Sequence, residues 1–185
     1  MDKNKQKQNK IPDSILNEVR IALSHYPDLD NTVIDFKLTD GVGKSIMRAQ
    51  PKWLTLFKPT SSREYVILIS KVIKIEDKAI GITTIPKKVL IGWLGHELGH
   101  VMDYRNRSTT NLIGFGVGYF FSSSYIRKAE RTADSYAIQH NMKDYILATK
   151  DFILNQSSLS GKYKARIKRL YLSPEEILEI VDGKT

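Results

Sequence analysis

Apolar positions recur at helical spacing near the start of the chain. Ile15, Val19, Leu23 and Tyr26 follow Pro12, which suits a first helical turn, and Pro27 closes the run. The pattern then changes period. Ile34, Phe36 and Leu38 alternate with polar residues, which predicts a half-buried strand ending at the Asp40-Gly41 turn. Ser45 to Gln50 reads as a second short strand stopped by Pro51, with Trp53 to Phe57 continuing it. Tyr65 to Ser70 (YVILIS) is uniformly apolar and predicts a central strand, and Ala79 to Thr84 a further short one. From Pro86 to about Tyr104 the chain reads as a long helix, while 108–122 fits no single period. Further helices are predicted over Ser124–His140, with Asn141 as stop, over Lys143–Leu154, and after Ser173-Pro174.

The long helix carries His96-Glu97-Leu98-Gly99-His100. Two histidines four residues apart on a helix lie ~40° apart, so both imidazoles can reach one ion. The Glu after the first His sits ~100° round, offset from the metal and placed to act on a water. This is the arrangement that hydrolysis with a metal-activated water requires, with Glu97 as general base. Leu90, Leu94, Leu98 and Val101 form one apolar face, and Gly92, Gly95 and Gly99 cluster on a flank of the histidine face. Glycine inside a helix costs ~1 kcal/mol against alanine, so three together predict a close backbone approach.

A catalytic zinc has three protein ligands and an open position. There is no cysteine, so the donors come from His, Asp or Glu. Glu130 is the best third ligand, in Ala129-Glu130-Arg131-Thr132-Ala133-Asp134. Asp134 lies one turn on and is expected to accept the free N–H of a metal-bound His, which fixes its tautomer. Ala129, Ala133 and Ala137 are small enough to meet the glycine flank. Asp103 is the rival ligand, ~20° from the histidine face but a turn past His100. His25 and His140 are weaker candidates.

HELGH followed by a helix with Glu-x-x-x-Asp resembles the gluzincins. The segment from Ala129 to Asp134 is similar to that of the CAAX-type and heat-shock membrane peptidases and of their soluble relatives, the minigluzincins. The likeness covers roughly residues 30–140, and its motifs little more than a dozen positions. It implies one Zn2+ held by His96, His100 and Glu130, with Asp134 behind a ligand and Glu97 as catalytic base. It also implies a substrate peptide or protein laid along an edge strand, here Ser45, Ile46, Met47, Arg48 and Ala49, through Gln50. The membrane relatives have transmembrane helices and this chain shows none, so a prenyl-peptide substrate is not carried over. The expected fold is α+β: a small zincin-like domain in which a twisted, mostly antiparallel sheet of three to four strands packs on an active-site helix and a glutamate helix.

Charge and composition adjust this picture only slightly. With 185 residues, one domain over 11–185 is expected, preceded by a disordered basic tail over 1–10. The first ten residues lack the apolar stretch of a secretory signal, and no apolar run approaches the ~20 residues of a spanning helix. A cytoplasmic enzyme is expected. A net charge of +9 fits a solvated lysine-rich surface or weak contact with anionic surfaces. The basic run Lys162, Lys164, Arg166, Lys168, Arg169 makes a nucleic-acid-associated protease one alternative function, and a catalytically silent, zinc-stabilised binding protein is another. Gly43-Lys44-Ser45 lacks the first glycine of a phosphate-binding loop, because Leu38 stands there, and the Gly114, Gly116, Gly118 series lacks the dinucleotide spacing.

Overall fold

The computed structural model describes residues 8–43, 45–75, 78–155 and 159–183. Its architecture is mixed α+β and mostly helical. Three strands, β1 (Ile34–Thr39), β2 (Met47–Pro51) and β3 (Tyr65–Ser70), form one sheet in the order β1-β3-β2. β3 is apolar on both faces and buried along nearly its whole length, so it takes the centre as its composition predicts. β2 pairs with it antiparallel, but β1 pairs with it parallel. The sheet is therefore mixed rather than mostly antiparallel. Its cause is the strand order: β2 runs back along the far edge from β1, and β3 fills the place between them.

Local pairing corrects two further expectations. Trp53–Thr55 is a 3-10 turn and not a continuation of β2. The Thr55 hydroxyl closes that turn, donating to the Lys52 carbonyl at 3.1 Å and accepting from the Glu64 amide at 3.0 Å. The strand expected over 79–84 ends at Gly81. It is β5 (Lys78–Gly81), paired antiparallel with β4 (Val72–Ile75), and Ile82–Thr84 is a 3-10 turn. β4 has no separate signal in the sequence, because only Lys71 divides it from the apolar run of β3.

The two edges of the larger sheet differ. Outside β1, the Phe36 amide donates to the Lys10 carbonyl at 2.7 Å and the Ile34 amide to Asn9 Oδ1 at 2.9 Å. Asn9 and Lys10 thus bind the sheet, contrary to a tail disordered over 1–10; residues 1–7 lie outside the described residues. Outside β2 lies the long helix.

The helices are α1 (Leu16–Ser24), α2 (Lys87–Arg105), α3 (Thr109–Phe121), α4 (Ser123–Gln139), α5 (Lys143–Asn155), α6 (Gly161–Leu170) and α7 (Pro174–Val181). α2 is buried from Val89 to Asp103, as a helix at the centre of a domain must be, and packs on α1, α4, α5 and β2. Its glycines make this packing tight. A Cβ at Gly92 would strike the Tyr145 carbonyl of α5, and one at Gly99 the Ala133 carbonyl of α4. The ambiguous stretch 108–122 is helical as α3, capped by the Ser108 hydroxyl on the Asn111 amide at 3.2 Å. Asn141 takes a left-handed φ of 59° just past α4, the role of a helix stop. Among the described residues no helix is long and apolar enough to cross a membrane.

Candidate metal centre

His96 and His100 stand on successive turns of α2, and Glu130 and Asp134 on successive turns of α4. The contact at Gly99 brings the two helices close enough for these side chains to meet. One imidazole nitrogen of each His and one Glu130 oxygen lie within 4.8 Å of one another, all buried. His96 Nε2 is 3.0 Å from Glu130 Oε2, and His100 Nε2 is 3.4 Å from the same oxygen. The other side of His96 is held separately, with Nδ1 2.8 Å from Asp134 Oδ1. Asp134 is 1 % exposed, and its Oδ2 accepts from Lys150 Nζ at 2.8 Å and from the Leu172 amide at 3.1 Å. Glu130 is held in turn by Tyr119, whose hydroxyl donates to Oε1 at 3.0 Å. His100 differs from His96: its Nδ1 is buried with no hydrogen-bond partner among the described residues, and its ring stacks near Tyr104.

The charges are mutually dependent. Burial alone would keep His96 neutral, but the Asp134 and Glu130 carboxylates outweigh it and raise its pKa to about 10. Burial pushes the Glu130 carboxyl up, and the His100 and His96 rings reverse this and hold it well below the usual range. Burial likewise opposes ionisation of Asp134, which the Lys150 ammonium and His96 nonetheless hold low. Glu97 behaves differently. Burial raises its pKa, and the two histidines and the Ala49 amide do not cancel the effect.

These donors fit a divalent transition metal. Two imidazole nitrogens and a carboxylate are a catalytic zinc set, whose bonds of ~2.0–2.2 Å put neighbouring ligand atoms ~3.4 Å apart. The 3.4 Å from His100 Nε2 to the shared Glu130 oxygen matches that spacing, while the 3.0 Å from His96 Nε2 is a hydrogen-bond distance that an ion would open slightly. The contact of His96 Nδ1 with Asp134 is of the kind that orients a metal-bound histidine.

The rival ligands are elsewhere. Asp103 is buried in an ion pair with Arg107 at 2.9 Å. His25 Nδ1 is 3.0 Å from the His140 carbonyl, and the His140 ring stacks on Tyr26. The predicted edge strand is at an edge, beside α2, but begins at Met47; Ser45 and Ile46 precede it. The Ile46 carbonyl accepts from the Ser70 amide at 2.9 Å, so the even-numbered residues of this stretch bond to β3. Met47 and Ala49 direct their backbone groups to the outer edge instead. The Ala49 amide donates to Glu97 Oε2 at 2.6 Å. A cavity of about 40 Å3 beside these groups is lined by Ser45, Ile46, Met47, Glu97, Tyr163 and Arg166, among others.

Tyr119 and Lys150 carry no motif and are not recognisable from sequence. Only a buried Lys within reach of Asp134 would have indicated the latter, and Lys150 falls on a helix of mixed polarity. Tyr171, whose ring is 5.2 Å from that of His96 and beneath Lys150 Nζ, is likewise silent in the sequence. Comparison with protein-family models, curated proteins and solved structures finds no match to this chain.

Proposed function

We propose that this chain is a zinc metallopeptidase of gluzincin type that hydrolyses peptide bonds. The observation that carries the reading is the convergence of His96, His100 and Glu130 from two helices, with Asp134 behind His96 and a buried Glu97 beside an edge strand. Glu97 lies next to these residues but outside their cluster, where a general base is wanted, and its bond to the Ala49 amide holds it there.

His96, His100 and Glu130 hold the ion in this reading. Zinc, when bound, supplies the Lewis acidity that brings a water's pKa towards ~7 and polarises a carbonyl. Glu97 takes the water's proton and passes it to the leaving amine. Its raised pKa suits that transfer. Asp134 keeps the Nδ1 proton of His96 in place, leaving Nε2 as the donor atom. β2 grips the substrate in this reading. Met47 and Ala49 turn their backbone groups to the outer edge, which is buried here with the Ala49 amide on Glu97. A peptide laid antiparallel there has first to displace that cover, and recognition then does not depend on side-chain identity.

The test is cleavage of a peptide library by zinc-loaded protein, read by mass spectrometry, beside the Glu97→Ala variant. Cleavage by the wild type and none by a variant that retains zinc is expected. Equal turnover by both would exclude Glu97 as the base.

A further inference from the structure

The four most exposed large apolar side chains among the described residues are Leu54 at 90 %, Phe121 at 87 %, Trp53 at 74 % and Phe57 at 68 %. They come from two segments that pack together. Leu56, inside the Trp53–Phe57 tip, shares an apolar cluster with Leu112 and Phe115 of α3. Thr109 Oγ1 donates to the Leu56 carbonyl at 3.3 Å, and Arg63 bridges the same junction to Arg107 and Thr109. α3 buries Leu112 and Phe115 and turns Ile113 and Phe121 outward, with Tyr125 exposed just beyond its end. At ~1.5 Å per residue, the path from Thr109 to Phe121 extends this apolar line by ~18 Å. Monomeric proteins seldom leave so many large apolar groups side by side without a use.

The exposed charge next to these tips is basic. Residues 41–63 and 104–129 contain no Asp or Glu. Of their cations, Lys52 pairs with Asp35 and Glu64, Arg107 pairs with Asp103, and Arg63 is buried. The exposed ones beside the apolar tips are Lys58, which follows Phe57, and Arg127 and Lys128, which follow Tyr125. Thus aromatic and aliphatic tips stand beside basic side chains, with no acidic residue in either segment. α3 contains no charged residue and spans 13 residues, short of the ~20 needed to cross a bilayer.

We infer that the Trp53–Phe57 tip and the outer side of α3 dock this protein peripherally on an anionic lipid bilayer. The apolar side chains enter the headgroup and upper acyl region, α3 lies in the plane of the interface, and the flanking cations stay at the phosphates. Aromatic rings suit this depth. Tyr119 on α3 bonds Glu130, so docking would hold the metal centre close to the membrane surface. The inference does not depend on catalysis.

The experiment is sedimentation of the full chain with vesicles of phosphatidylcholine plus phosphatidylglycerol, against phosphatidylcholine alone. Binding to the anionic vesicles is expected, weakening with salt. Of the two tryptophans, Trp53 is exposed and Trp93 buried. Tryptophan emission should therefore move to shorter wavelength on binding, be quenched by brominated acyl chains, and lose both responses in Trp53→Phe. Leu54→Ser and Phe121→Ser should each lower partitioning by about tenfold or more with the thermal transition unchanged. Glu97→Ala should bind as the wild type does, which separates this surface from the proposed catalysis. No partitioning onto anionic vesicles, or unchanged partitioning in both serine variants, would overturn the proposal. So would wild-type dimerisation in sedimentation velocity that Leu54→Ser abolishes, since the patch would then cover a second copy.

Discussion

The amide of Ala49 donates to the carboxylate of Glu97 across 2.6 Å, joining the sheet edge to the proposed base. Because this amide points away from β3, proline at Ala49 removes the bond to Glu97 and leaves the ladder intact. Ala49→Pro should keep the β2–β3 pairing and zinc but displace the Glu97 carboxylate, whose oxygen stands where the proline ring falls, and so lower peptide turnover. Proline at Ile46 or Arg48 instead breaks pairing with β3, and each should destabilise the protein by about 3 kcal/mol or more. Thermal denaturation together with turnover separates the two cases. Equal destabilisation at Ala49 and Arg48 would contradict the assigned strand register.

Asp134 and Lys150 form a buried pair at 2.8 Å, with side chains 1 % and 5 % exposed. Removing Asp134 leaves the Lys150 ammonium buried without its carboxylate, at a cost of about 3–5 kcal/mol. Lys150→Met should cost less, because Asp134 keeps His96 and the Leu172 amide. Asp134→Ala should in addition weaken zinc binding about 10–100-fold without abolishing it, because His96 loses its support. Denaturant melts and zinc titration measure the two effects. Unchanged zinc affinity in Asp134→Ala would contradict its role.

Without metal, the neighbouring carboxylates raise the His96 pKa from 6.5 to about 10. This group therefore adds stability that is complete below pH 6.5 and is lost as pH rises through about 10. A metal needs the neutral ring, so zinc binding must expel the His96 proton. Apparent zinc affinity should rise between about pH 7 and 9, with close to one proton released from this site. Calorimetry in buffers of different ionisation enthalpy counts that proton. A pH-independent affinity with no release would rule out His96 as a ligand.

The glycines of α2 offer a structural test. Gly99→Ala drives a Cβ into the Ala133 carbonyl, so α2 and α4 must separate. A loss of about 1–3 kcal/mol and weaker zinc binding are expected. Gly114→Ala is the control, since nothing lies within 4 Å of a Cβ there and helix propensity favours alanine. Its stability should rise by up to about 1 kcal/mol.

The grouping of His96, His100, Glu130 and Asp134 was legible in the sequence because residues four apart on a helix share a face, and two such pairs carry donor types that a metal site can use. The glycine and alanine flanks even indicated how the two helices meet, although only Gly99 faces Ala133, while Gly92 and Gly95 face α5 and Met142. Lys150 and Tyr119 escaped because their roles arise from tertiary approach, which leaves no local period. β4 escaped because it merges with the apolar run of β3. The parallel pairing of β1 escaped because strand order depends on where a connection crosses the sheet. Trp53 to Phe57 misled in the opposite sense: apolar content predicts burial, yet Trp53, Leu54 and Phe57 face solvent.

The central claim is that His96, His100 and Glu130 hold one ion, and anomalous diffraction at the zinc edge from zinc-soaked crystals tests it most directly. A single peak ~2.0–2.2 Å from a nitrogen of each His and an oxygen of Glu130 is the expected result. A peak coordinated by Asp103 in place of Glu130, or no peak between α2 and α4, would contradict it.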